Sequence, residues 1–169
     1  MKKTNRIFVG IDLSQKFTSV IPMLSTTVLD SGNNIKWISG KSLHLTLSFL
    51  GNLETSEINS LIIDLKELTD FSRISFNVEG TGIFNNKESR VFWLGIGKGT
   101  DELLNLQKFT DKITKSYISK SKIRLFKPHI TIGRINMQKK ISNFDVSTFL
   151  NTVYSPIRIS VKSVHLFKS

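Results

Sequence analysis

The 169-residue sequence predicts a single α+β domain built from two similar halves around a shared groove. Three observations predict it. Apolar runs that alternate as strands are interleaved with runs that repeat at helical spacing. The order of these runs in the first half returns in the second. A His-x-Thr-x pattern inside an apolar alternating run occurs once in each half, in "HLTLSFLG" (44–51) and "HITIGRI" (129–135). A chain of this length can bury roughly 70% of its unfolded surface and so fold alone. Its 39% hydrophobic and 22% charged residues are globular and not disordered proportions.

Taken in order, "RIFVGIDL" (6–13) is rich in β-branched residues and uncharged between Arg6 and Asp12, as a buried strand would be. Ser14 is the expected cap of a helix reaching about residue 29, with Phe17, Val20, Ile21, Leu24 and Val28 as its apolar stripe and Pro22 distorting it. "SGNN" (31–34) ends it. "IKWIS" (35–39) and "LHLTLSFL" (43–50) read as strands, the second closed by Gly51-Asn52. A helix over 55–69 is expected, capped by Thr55 or Ser56, burying Ile58, Leu61, Ile62, Leu65 and Leu68. "RISFNVEGTGIF" (73–84) and "RVFWLGIG" (90–97) should pair as a hairpin across "NNKES". Residues 101–117 form an amphipathic helix, apolar at Leu103, Leu104, Leu106, Phe109, Ile113 and Tyr117. "PHITIGRI" (128–135) is a strand that Pro128 can open, 144–151 hold a helical turn, and "IRISVKSVHLF" (157–167) is a final strand.

A shift of 85 residues lays the halves over one another. Gly10-Ile11 falls on Gly95-Ile96, His44 and Thr46 on His129 and Thr131, and Arg73-Ile74-Ser75 on Arg158-Ile159-Ser160. The halves run from about 1 to 84 and from 85 to 169. An approximate two-fold between them would set the two motif strands on opposite sides of one groove.

The composition narrows the function. With no cysteine there are no disulfides or thiolate metal sites, and three histidines leave few donors for structural zinc. A reducing cytoplasm is the expected compartment. "MKKTNRIFVGIDL" starts as a signal peptide does, but its apolar run is short and Asp12 interrupts it. No stretch approaches a membrane span, and no heptad or unexplained apolar stripe argues against a monomer. Residues 1–85 hold 8 Lys/Arg and 8 Asp/Glu, whereas 86–169 hold 16 and 5, so the whole net charge of +11 belongs to the second half. Clustered cations gain affinity for phosphates by releasing counterions, so a polyanionic partner is expected, a merely Lys-rich surface being the plain alternative.

Strand alternation gives the motifs a chemical reading. His44, Thr46 and Ser48 share one face, and Leu45, Leu47 and Phe49 the other; His129 and Thr131 likewise oppose Ile130 and Ile132. One histidine on a strand is ordinarily structural, but two at equivalent points of a repeat, each with Thr two residues on, suit paired chemistry. Phosphodiester cleavage needs a base for the attacking oxygen and an acid for the leaving one, and imidazole serves both near neutrality. Thr hydroxyls can donate to the non-bridging oxygens. No metal is required, and the acids nearest the motif strands, Glu54 and Asp145, are poorly placed to share one.

"LHLTLSFLG" and "KPHITIGRI", with "RIFVGIDL" before and "VFWLGIG" between, resemble the two-histidine (2H) phosphoesterase superfamily, and within it the RNA 2′,3′-cyclic phosphodiesterases, also called 2′-5′ RNA ligases. The resemblance spans nearly the whole chain. It implies a bilobal fold, two pseudo-symmetric lobes of antiparallel sheet plus helices around a central cleft. It also implies metal-independent hydrolysis of 2′,3′-cyclic phosphates, on RNA ends or nucleotides, to 2′-phosphomonoesters, without a cofactor. Carried over by motif, His44 is the general acid toward the 3′ oxygen, His129 the base activating water, and Thr46 and Thr131 the phosphate clamps. The alternatives are a 2′-5′ phosphodiesterase or ligase, and a basic RNA-binding module with vestigial catalytic groups. Members of the family usually continue past "HLFKS" into another short strand, so the edge of the C-terminal lobe is expected to be incomplete or the chain truncated.

Other candidates are weighed on context. Arg134, three residues past Thr131, matches the family motif and could contact phosphate, but strict alternation turns it away. Phe84, beside a polar turn, could stack a base, whereas Trp37, Phe49 and Trp93 lie in apolar strands and are expected in the core. Lys122, Arg124 and Lys127 could guide RNA toward the second motif or be plain solvated loop. His165 lacks the motif context and is expected to be structural.

Overall fold

The structure, a computed structural model, describes residues 4–13, 17, 19–30, 35–85, 89–118, 125–136 and 144–169. Its strands are β1 (Thr4–Asp12), β2 (Leu29–Asp30), β3 (Ile35–Trp37), β4 (His44–Glu54), β5 (Ile74–Asn85), β6 (Ser89–Ile96), β7 (Ile130–Asn136), β8 (Phe144–Asp145), β9 (Ile157–Val161) and β10 (His165–Lys168). Its α-helices are α1 (Val20–Ser25), α2 (Thr55–Asp64), α3 (Thr100–Thr114) and α4 (Ser147–Asn151). All pairing is antiparallel. One sheet has the order β10-β1-β4, a second β3-β7-β6-β5-β9, and β2 pairs with β8. Among the described residues no helix is long and apolar enough to cross a membrane.

Each sheet buries one face. In β1, Ile7, Val9 and Ile11 are buried with the helices, which leaves Arg6, Phe8, Gly10 and Asp12 on the other face. In β6, Phe92 and Leu94 are fully buried, while Val91, Trp93 and Gly95 face the opposite way. A large cluster around Phe17, Leu45, Phe76, Phe92, Leu103, Ile130 and Phe149 joins the two sheets, and a smaller one around Ile7, Val9, Leu53 and Leu61 closes the first.

The 85-residue offset is present in the pairing. Ile7, Phe8 and Val9 of β1 face Lys168, Phe167 and Leu166 of β10. Phe92, Trp93 and Leu94 of β6 face Ile83, Gly82 and Thr81 of β5. On the motif strands the extra residues correspond too, although the partner strands stand two residues out of step. Between β1 and β4, Gly10 faces Thr46 and Val9 faces Ser48, so Leu47 is the extra residue. Between β6 and β7, Trp93 faces Thr131 and Phe92 faces Gly133, so Ile132 is extra.

Several expectations are corrected. The first helix is only α1, with Ser19 at its N-cap; Ser14 and "SGNN" lie outside the described residues. Pro22 explains the late start, because it needs no helical hydrogen-bond partner in the first turn. The stripe is nonetheless right, with Phe17, Ile21, Leu24 and Val28 buried. Gly51 does not end its strand: at φ 86° it accommodates a bulge, and β4 continues to Glu54. Glu54, not Thr55 or Ser56, caps α2, and the Glu57 carboxylate accepts from the Glu54 N–H at 2.7 Å. Ile62 and Phe109 are exposed; α3 instead buries Gln107, Thr110 and Thr114 beside Leu103 and Leu106, so its inward face is rotated toward polar residues. The final strand is two, β9 in the second sheet and β10 at the edge of the first, divided after Val161.

Candidate active site

Both histidines lie where a motif strand starts: His44 opens β4, and His129 immediately precedes β7. They are held alike. Nδ1 of His44 donates to the carbonyl oxygen of Ser42 at 2.8 Å, and Nδ1 of His129 to that of Lys127 at 2.6 Å. A carbonyl can only accept, so Nδ1 carries the hydrogen, and Nε2 is the nitrogen left to take or give a proton. The strands β4 and β7 approach each other where the two sheets meet, and the two imidazoles are close enough for the charge of one to act on the other. Thr46 and Thr131 follow on the same faces, half-buried.

On the first sheet His44 packs against Phe8 and Phe167, with ring centres 4.7 and 5.4 Å apart. Phe8 stacks between Phe49 and Phe167, its partners in register, at 5.8 and 4.9 Å with planes 5° apart. The Arg6 guanidinium lies 5.0 Å from the centre of the Phe49 ring. On the second sheet Phe84 meets His129 edge to face at 4.9 Å and Trp93 at 5.2 Å. The Trp93 indole covers Gly82, where any β-carbon would collide with the ring.

The bulges correct two expectations. Past Leu47 the alternation of β4 reverses: Ser48 is buried and bonded to Thr114 at 2.9 Å, and Phe49 is 43% exposed beside Phe8, outside the core. Past Ile132 the same reversal places Arg134 opposite Val91, hence on the side of Thr131 and Trp93. Strict alternation therefore does not turn Arg134 away. Arg134 also acts on His129. Burial is the main cause that holds the His129 imidazole below its ordinary pKa, and the charges of Arg134 and His44 add to it, against a rise from the Lys127 carbonyl.

The remaining candidates are dispersed. Trp37 packs on Phe92 at 5.4 Å, as a core residue. Trp93 is only half-buried, outside the fully buried core. The Lys127 side chain is exposed, and its part in the site is its carbonyl. Lys122 and Arg124 lie outside the described residues. His165 faces Gly10 across β1 and β10, exposed, with Nε2 2.8 Å from the Ser163 hydroxyl. Among the described residues no three or more of His, Cys, Asp and Glu are grouped to hold a metal ion. Sequence reasoning missed the carbonyls of Ser42 and Lys127, although they too are 85 residues apart. It also missed Phe8 and Phe167, whose contact with His44 depends on strand order, which the sequence does not carry.

Known proteins share this family and fold. A family model described as the AKAP7 2′5′ RNA ligase-like domain matches residues 8–167. A Thermotoga maritima protein named RNA 2′,3′-cyclic phosphodiesterase is 30% identical over 97% of this chain and 86% of its own. An Aquifex aeolicus protein of the same name is 32% identical over 79% of this chain and 72% of its own. Among solved structures, a Thermus thermophilus protein superposes with TM-score 0.73 at 19% identity, covering 95% of this chain and 86% of that one. E. coli LigT complexed with 3′-AMP superposes at 0.70 and 18%, covering 98% and 88%. These two likenesses show the fold, two antiparallel sheets with few helices.

Proposed function

The chain belongs to the AKAP7 2′5′ RNA ligase-like family of two-histidine phosphoesterases, and from that premise we propose that it opens RNA 2′,3′-cyclic phosphate ends to 2′-phosphomonoesters. It is a phosphodiester hydrolase, as its relatives' names have it. The observation that carries the mechanism is the matched pair of imidazoles, each with Nδ1 bonded to a backbone carbonyl. Nε2 of His129 takes a proton from water, the hydroxide attacks phosphorus, and Nε2–H of His44 protonates the departing 3′ oxygen. The hydroxyls of Thr46 and Thr131 donate to the non-bridging oxygens, where charge builds in the transition state.

The halves differ in charge, and that difference supports the division of roles. Arg134 beside His129 disfavours its protonated form, which suits a base. The substrate is an RNA or nucleotide end, one chain supplies both histidines, and a cysteine-free chain suits cytoplasmic work. Phosphorus NMR of a nucleoside 2′,3′-cyclic phosphate with the protein in EDTA tests the reading. A single 2′-monoester resonance is expected. An unchanged spectrum alongside tight RNA binding would replace the hydrolase with a binding module, and joined oligonucleotides would favour the ligase.

A further inference from the structure

Lys36 in β3 lies directly opposite Arg134 in β7, and Arg134 faces Val91 on the side that carries Trp93 and Thr131. Two cations therefore stand next to one another on the cleft side of the second sheet. Both are exposed, and neither has an ion pair among the described residues. Like charges directly opposite in a strand pair weaken the pairing, and β3 is only three residues long. An anion held between them would turn that repulsion into binding.

The placement identifies the anion. Arg134 and His44 are the charges that act on His129, and Lys36 stands one strand farther out. Strand spacing and rise put the Lys36 backbone roughly 8 Å from that of Thr131, beyond the phosphate that Thr131 clamps and within side-chain reach of the next phosphate on the chain. The other half has no counterpart. The position 85 residues before Arg134 is Phe49, stacked on Phe8. A near-symmetric histidine pair would accept a cyclic phosphate in either of two orientations, and an anion site on one side selects between them.

We propose that Lys36 and Arg134 form a subsite for the phosphate 5′ to the terminal nucleoside, which orients the RNA end in the cleft and favours oligonucleotide ends over bare cyclic nucleosides. This rests on the hydrolase reading. The test compares kcat/KM for a nucleoside 2′,3′-cyclic phosphate with that for the same compound carrying a 5′-phosphate, in wild type and Lys36→Ala. Wild type should favour the 5′-phosphorylated compound by about 10-fold or more, and the preference should shrink several-fold in the variant and with added salt. A wild-type ratio near 1, or a ratio that Lys36→Ala leaves unchanged, overturns the subsite. If neither compound is hydrolysed, the hydrolase reading fails, and calorimetry still decides the subsite: a nucleoside 5′-monophosphate should bind more weakly to Lys36→Ala than to wild type, and equal affinities would reject it.

Discussion

His129 works where its own charge is unwelcome. It is half-buried, within range of the His44 charge, and has Arg134 on the same side of the sheet, so burial first and then these two charges make its imidazole give up its proton at lower pH than an ordinary histidine. For a general base the sign follows directly. Activity is lost on the acid side as the base becomes protonated, so the acid limb of kcat/KM should lie below about 6.5. Arg134→Gln removes a charge that opposes protonation, and should move that limb to higher pH; a limb that stays in place would exclude Arg134 from the role. His44→Ala and His129→Ala should each lower turnover by roughly 100-fold or more. The double variant should be far less than additive, because the two groups serve one proton-transfer sequence. Equal and independent losses in a rate assay would mean the rings do not act together.

The elements decide which of these residues meet. Periodicity made the strands and the buried stripes legible, because a two-residue repeat needs no knowledge of the partner strand. It gave the motif histidines and threonines their common face. What it could not supply was the bulge, since an extra residue becomes visible only against its partner, and both Leu47 and Ile132 look like ordinary apolar positions. For that reason alternation alone puts Phe49 and Arg134 on the wrong faces and Ser48 in the cleft. Strand order was equally hidden, and with it the contact of Phe167 with His44. The first bulge also explains a glycine. Beside it β1 and β4 approach so closely that a β-carbon on Gly10 would stand 2.6 Å from the Leu45 carbonyl oxygen. Gly10→Ala must push the strands apart next to Thr46, at about 2 kcal/mol, a fall in Tm of roughly 6 °C for a chain this long. Calorimetry would check it, and an unshifted transition would mean that the strands are not held at this spacing.

Across the molecule, the two histidine strands belong to units that exchange a strand. β10, from the end of the chain, completes the sheet of β1 and β4, while β5, from the first half, pairs with β6. The matching registers, Phe8 with Phe167 and Trp93 with Gly82, describe two copies of one three-stranded arrangement, each finished by the other half. The main core likewise spans the division, with Phe17 and Leu45 from one side and Phe92, Leu103 and Phe149 from the other. We therefore propose that the halves 1–84 and 85–169 make one folding unit and not two domains. Neither piece alone can bury the apolar faces of its strands, and each would expose an unpaired edge. Expressed singly, each should lack a cooperative thermal transition, whereas mixing and refolding both should restore the transition together with cyclic phosphate hydrolysis. A cooperative transition in fragment 1–84 by itself would show the first half to be independent, and the exchanged strands would then be a decoration on two domains instead of the bond that joins the two histidine strands.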